Sequence, residues 1–288
     1  MVYRLFKAVC AFALLVQVTL PQAAAQTTPA SHVTRLVRDG GVQVEVLIDG
    51  AGPTMVLLPS AQRDSLDFDE LTGELVRAGY RVLRPQPRGV GGSQGPMDPL
   101  TLNDLANDVA LALRQLGVGK AVVIGHAYGH FVARVLDKNH PELVRGIVVA
   151  GAASKTYPAS LVQSLYIASD SKQPEALRRQ HLQSAFFAPG SDPGAWLTGW
   201  HPQLREPYRK AATVPPKDDW WTVSNSPILD LQGADDPWRP AATTQELRDQ
   251  LGDKVTVKRI ARASHALVPE QPKAVASAII EWVATLPR

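Results

Sequence analysis

Apolar residues occupy every second position from 42 to 48 (Val42, Val44, Val46, Ile48). That is the period of a strand with one buried face. Asp49-Gly50-Ala51-Gly52-Pro53 then has the composition of a turn. Met55-Val56-Leu57-Leu58 is apolar at consecutive positions, as expected for a strand covered on both sides. Ala121-Val122-Val123-Ile124 is a second buried strand, and further short strands are expected at 80–83, 144–149, 228–232 and Val255–Ile260. Between them lie stretches with helical spacing. One spans 69–78 and is closed by Gly79. A second is opened by Thr101, followed by Asp104 in the manner of a capping box, and its apolar face is Leu102, Leu105, Val109, Leu113 and Leu116. Others are expected at 131–139, 241–251 and 273–285.

Strands alternating with helices of ten or so residues indicate an α/β fold: a doubly wound, mostly parallel sheet with helices on both faces. The alternation lapses between about 155 and 225. This interruption holds four of the six tryptophans (Trp196, Trp200, Trp220, Trp221) together with Phe186, Phe187, Tyr157, Tyr166 and Tyr208. An aromatic insertion at that place is expected to form a lid over the carboxyl edge of the sheet, with Trp196 and Trp200 reaching the ligand. The core domain would then comprise 26–154 and 226–288.

The N-terminus predicts export. Arg4 and Lys7 precede an apolar stretch at 8–20 that is short for a membrane span, and Pro21-Gln22-Ala23-Ala24-Ala25 offers small residues for a signal peptidase. A signal peptide at 1–25 followed by a polar linker at 26–33 is expected, which places the protein in the periplasm or outside the cell with no membrane span after processing. The single cysteine, Cys10, would leave with the signal, so the mature chain would have no disulfide and no thiolate nucleophile. Processing also removes two of the 30 basic groups and none of the 27 acidic ones, which leaves a net charge of +1. A charge that small gives no support for a nucleic-acid partner.

The chemistry is concentrated in five segments. The apolar strand ends in Leu57-Leu58-Pro59-Ser60. Next come Arg88-Gly89-Val90-Gly91-Gly92-Ser93 and then Gly125-His126-Ala127-Tyr128-Gly129, a sharp turn between a buried strand and a helix. Gly233-Ala234-Asp235-Asp236-Pro237 follows a strand, and Ser264-His265 precedes Pro269-Glu270-Gln271-Pro272. In this order the segments resemble the α/β-hydrolase family of esterases, lipases, lactonases and epoxide hydrolases, over essentially the whole mature chain. The resemblance implies that His265 is the general base and Asp236 the acid that orients it, with Asp235 a turn residue. It also implies that Ala127 stands at the nucleophile position and that the backbone N–H groups of Ala61 and Tyr128 form an oxyanion hole.

Several residues depart from the family's pattern. Ala127 has no heteroatom and cannot form a covalent intermediate. Pro59-Ser60 replaces the usual His-Gly, His130 follows the turn where glycine is frequent, and Ser264 precedes the base. Ser60, His126 and His130 join the candidate substrate contacts. His126 and His130 are separated by the bend of the turn and are not read as a metal pair. No motif implies a metal, nucleotide or flavin cofactor. The expected activity is hydrolysis of a small, largely apolar ester, lactone or related electrophile by water that His265 and Asp236 activate. In a variant of that mechanism, Ser60 or Tyr128 supplies the missing hydroxyl. The alternative is a non-catalytic small-molecule binder or sensor that reuses the pocket.

Overall fold

A computed structural model describes residues 32–287. The expected signal peptide at 1–25, Cys10 and most of the linker at 26–33 lie outside the described residues. Eight strands form one sheet in the order β1-β2-β4-β3-β5-β6-β7-β8. These are β1 (Val33–Asp39), β2 (Val42–Asp49), β3 (Thr54–Leu58), β4 (Arg81–Pro85), β5 (Ala121–His126), β6 (Val144–Ala150), β7 (Ile228–Gly233) and β8 (Val255–Ile260). The β1·β2 and β2·β4 pairs are antiparallel and the rest of the ladder is parallel.

The consecutive apolar runs are explained by burial on both faces. On β3, Val56 and Leu58 pack with helices α2 (Leu102–Gln115) and α3 (Gly129–Asn139). Met55 and Leu57, pointing the other way, pack with α1 (Asp69–Arg77) and the last helix of the chain, at Pro272–Val283. Each such side chain, fully removed from water, contributes about 1.5–3 kcal/mol before entropy is counted. The capping box forms as the spacing predicts: Thr101 Oγ1 accepts the Asp104 N–H, and Asp104 Oδ2 accepts the Thr101 N–H.

Two expectations need correction. Val33 opens β1, so the linker does not extend that far. Only Val37 of this strand is buried, and a strand so exposed lacks the alternation that would reveal it. The helix expected at 241–251 is broken into a single 3-10 turn and a short α-helix, Glu246–Leu251.

Four helices occupy the long connection between β6 and β7: α4 (Ala159–Ser169), α5 (Glu175–Ala185), α6 (Arg205–Ala211) and α7 (Asp218–Trp221). The three remaining helices are α8 (Glu246–Leu251), α9 (Leu267–Glu270) and α10 (Pro272–Val283). Phe186, Phe187 and Trp196 of the connection share one apolar cluster with Trp238 and Ala266, which belong to the loops after β7 and β8. The insertion is therefore anchored directly on the loops that carry Asp236 and His265.

Candidate active site

β5 is buried at every position and runs into a turn too tight for ordinary backbone. Ala127 sits at its apex with φ +45°, a left-handed conformation that costs a non-glycine residue about 1–2 kcal/mol. The flanking glycines are required by close approach. A Cβ on Gly125 would overlap the backbone of Gly129 and His130, and one on Gly129 would overlap the carbonyls of Leu58 and Pro59. The turn thus presses the start of α3 against the end of β3 and leaves the Ala127 methyl facing a cavity.

That cavity has a volume of about 360 Å³ and is lined by Ala127, His265, Ala61, Tyr128 and Ser60, with residues of the insertion opposite. It falls within the size range of small-molecule sites. His265 Nδ1–H donates to Asp236 Oδ2 at 3.1 Å, and Asp236 Oδ1 accepts the Trp238 N–H at 2.8 Å. The carboxylate thereby selects the Nδ1–H tautomer and leaves Nε2 as the lone-pair nitrogen. Nε2 makes no hydrogen bond to another described residue. The two loops are joined by the Asp235 N–H, which donates to the Ala263 carbonyl at 2.9 Å. Glu270 ties the base loop to the insertion, accepting the N–H groups of Ser264 and Ala188 on its two carboxylate oxygens.

Ala61 and Tyr128 both line the cavity, and neither backbone N–H donates to another described residue. A pair of such unused donors beside a base can stabilise a developing oxyanion. The candidate hydroxyls are placed differently. Tyr128 Oη donates to the Tyr208 carbonyl at 2.9 Å, and burial pushes the phenol well above its ordinary pKa, so it stays protonated and engaged. Ser60 lines the cavity but has no hydrogen bond to His265.

The remaining candidates separate into two groups. His130 lines the cavity, 1% exposed, with neither ring nitrogen hydrogen-bonded to a described residue. Burial holds it well below its ordinary pKa, so it is neutral. His126, Trp196 and Trp200 do not line the cavity. His126 is fully buried, brought to a pKa of about 3 by burial, and its Nε2–H donates to the His265 carbonyl at 2.8 Å. It is a strut beneath the base. Trp196 and Trp200 pack edge-to-face with each other and against the Arg63 guanidinium, outside the cavity.

Two cavity residues escape sequence reading. Trp238 stacks on His265, 4.9 Å between centroids, and donates its indole N–H to the Ala185 carbonyl. Its position two residues after Asp236 was the available signal. Lys217 enters from the insertion just before Trp220-Trp221, a cation placed four residues ahead of an aromatic ring.

A mostly parallel sheet clad on both faces, with Asp236 after β7 hydrogen-bonded to His265 after β8 and a strained turn after β5, defines the class as an α/β-hydrolase architecture. The model of the alpha/beta hydrolase family matches residues 55–278, and the chain belongs to that family. It is 30% identical over 146 residues to the AB hydrolase superfamily protein YfhM of Bacillus subtilis, covering 46% of this chain and 51% of that one. It is 29% identical over 125 residues to the 2-(acetamidomethylene)succinate hydrolase of Mesorhizobium japonicum, covering 43% and 45%. The chain spans about half the length of these curated relatives. A thermophilic esterase from Thermogutta terrifontis, solved with malate bound, superposes with a TM-score of 0.71 at 20% identity, covering 88% of this chain and 98% of that one. The curated relatives with named activities include the succinate-derivative hydrolase above, epoxide hydrolases and putative carbamate hydrolases, and the solved neighbours of this fold include esterases and a putative non-heme bromoperoxidase.

Proposed function

We propose that the protein is an exported hydrolase of small ester or lactone electrophiles in which His265, held by Asp236, activates water directly. The observation that carries this reading is that His265, Ala127, Ala61 and Tyr128 line one cavity, the last two with unused backbone N–H groups. The substrate carbonyl oxygen points at the two amides, and a water takes the space that a nucleophile's Oγ would fill above Ala127. His265 Nε2 removes the water's proton as the O–C bond forms, and Asp236 stabilises the resulting imidazolium. The protonated imidazole then returns that proton to the leaving oxygen as the tetrahedral intermediate collapses. A positioned base contributes about 10²–10⁴-fold and each oxyanion donor about 10²–10³-fold. Engagement of the Tyr128 hydroxyl by Tyr208, and the lack of any hydrogen bond from Ser60 to His265, favour water over a displaced hydroxyl. The insertion at 155–225 acts as the lid that excludes bulk water.

The test is turnover of a panel of short phenyl esters and lactones by wild type and by His265→Ala. The expected result is measurable hydrolysis that falls by about 10²-fold or more in the variant. Wild type indistinguishable from buffer, or a variant as active as wild type, overturns the mechanism. Complete inactivity would favour the binder reading, which the missing heteroatom at Ala127 makes the second choice.

Export has its own test. Protein expressed with its native leader is expected to be recovered outside the cytoplasm with Gln26 as its first residue. Intact-mass measurement showing a retained leader in the membrane fraction would refute this.

A further inference from the structure

Three cationic side chains border the cavity from the insertion: Arg205, Arg209 and Lys217. Among the described residues no aspartate or glutamate borders it. Arg209 pairs with Glu206 at 2.6 Å. Arg205 makes no ion pair among the described residues, but its Nη2 donates to the Tyr166 carbonyl and Ser169 Oγ while the guanidinium lies over the Tyr166 ring. Lys217 is the cation held against several rings. Its ammonium donates one hydrogen bond, to the Lys155 carbonyl at 2.9 Å, and makes no ion pair among the described residues. It lies against three aromatic rings: Trp221 at 4.6 Å, Phe131 at 5.6 Å and Tyr157 at 5.8 Å. A cation held against ring faces keeps its charge without a carboxylate neutralising it.

We propose that this cavity takes an acidic substrate, an ester or lactone that also bears a carboxylate, and that Lys217 binds the carboxylate. This rests on the hydrolase reading only for the fate of the substrate and not for its binding. His130 supplies the second observation. Its ring packs on Phe131 and Trp221, two of the three rings that flank Lys217, and it borders the cavity with both nitrogens unpartnered among the described residues though the side chain is buried. A neutral imidazole there has one N–H to offer a carboxylate oxygen. The mostly apolar walls between this corner and Ala127 suit a short hydrocarbon spacer. Lys217 is also held in place by the fold. It immediately precedes α7, and the buried Arg134 guanidinium donates to the carbonyls of Trp220 and Trp221 at that helix's far end.

The charges around Lys217 set its pH response. Burial lowers the ammonium to about 8; Lys155 and Arg134 lower it too, while Glu246 and Asp218 act in the opposite sense. Asp218 is paired with Lys155 at 2.7 Å, and Glu246 accepts the Lys155 backbone N–H and lies 3.9 Å from Arg239. His130 faces the ammonium as a neutral ring. In the free protein Lys217 therefore loses its proton progressively as pH rises through about 8. A carboxylate that stays ionised throughout should bind well below that pH and progressively worse above it.

Calorimetric titration of the full chain with phenylacetate and with its neutral isostere phenylacetamide tests the proposal without requiring turnover. At pH 6.5–7 the acid is expected to bind about tenfold or more tighter than the amide. That preference should fade as pH rises through about 8 towards 10, vanish in Lys217→Gln and largely survive in Lys217→Arg. Lys210→Gln, an exposed residue outside the cavity, should leave it unchanged. Equal affinity for the two ligands in wild type, or a preference that persists in Lys217→Gln or does not change with pH, overturns the proposal. The wild-type pH series decides the matter even if Lys217→Gln fails to fold. Acid-selective binding by a protein that hydrolyses no ester supports the anion site while refuting only the catalytic reading.

Discussion

Ala127→Ser is expected to produce an esterase that forms an acyl-enzyme. Asp236 orients His265, its Nε2 carries no competing hydrogen bond among the described residues, and two amides stand unused beside the turn. The backbone already holds the φ of +45° that aims a side chain into the cavity, so the substitution adds one oxygen where a methyl now faces open space. If that oxygen comes within about 2.6–3.2 Å of His265 Nε2, p-nitrophenyl acetate should give a burst followed by slower turnover. The gain in kcat/KM should be on the order of 10²-fold or more over wild type. A fluorophosphonate should label the variant at position 127 and leave wild type unlabelled. His265→Ala in the variant background should abolish both burst and labelling. A folded Ala127→Ser that neither bursts nor labels would show the base to be out of reach, and the hydrolytic reading would fail with it. Labelling of wild type at Ser60 would instead place the nucleophile there.

Gly129→Ala should be among the most damaging single-methyl additions in the chain. The new Cβ would meet the carbonyls of Leu58 and Pro59, which are main-chain atoms of β3 and its exit and cannot swing aside as a side chain would. Overpacking usually costs about 1–3 kcal/mol, and a backbone obstacle puts this case at the upper end. For a chain of this size that corresponds to a fall of about 6–12 °C in Tm. Gly119→Ala is the control: a Cβ there meets nothing within 4 Å, and its Tm should stay within about 2 °C of wild type. The comparison is read by thermal unfolding of the two variants side by side. Equal melting temperatures would mean that β3 and α3 are not held together as tightly as the turn requires.

Much of this protein is legible from residue order because a doubly covered parallel sheet imposes strong local patterns. Strands buried on both faces tend to be apolar at consecutive positions, and β3, β5 and β6 begin and end within one or two residues of their apolar runs. The Thr101–Asp104 cap is a purely local hydrogen-bonding device, so spacing alone determines it. The same is true of the tight turn around Ala127, because glycines where backbones touch leave a recognisable mark. The loops bearing Asp236 and His265 are placed by chain order in the family, and the structure brings the two side chains to 3.1 Å.

Other features needed the tertiary structure. β1 is exposed and is held as a hairpin arm paired with β2 across Gly40-Gly41, and a strand buried only at Val37 carries no periodic signature of its own. Residues 241–251 contain a helix-like spacing, yet only Glu246–Leu251 forms an α-helix. An aromatic residue in an insertion can face a ligand or the insert's own core, and composition cannot distinguish them. Trp196 and Trp200 turned to Arg63, whereas Trp238, outside the insertion, stacks on His265. The charge of the cavity was least legible of all. Lys217 is one lysine among many in the sequence. Its unpaired ammonium is set by rings from α3, α7 and the residue at 157, and by Arg134 anchoring α7 from beneath. Local patterning specified the scaffold and the loops that carry Asp236 and His265, because hydrophobic period and turn chemistry act over a few residues. Which side chains meet across the cavity was decided only when segments about a hundred residues apart were packed together.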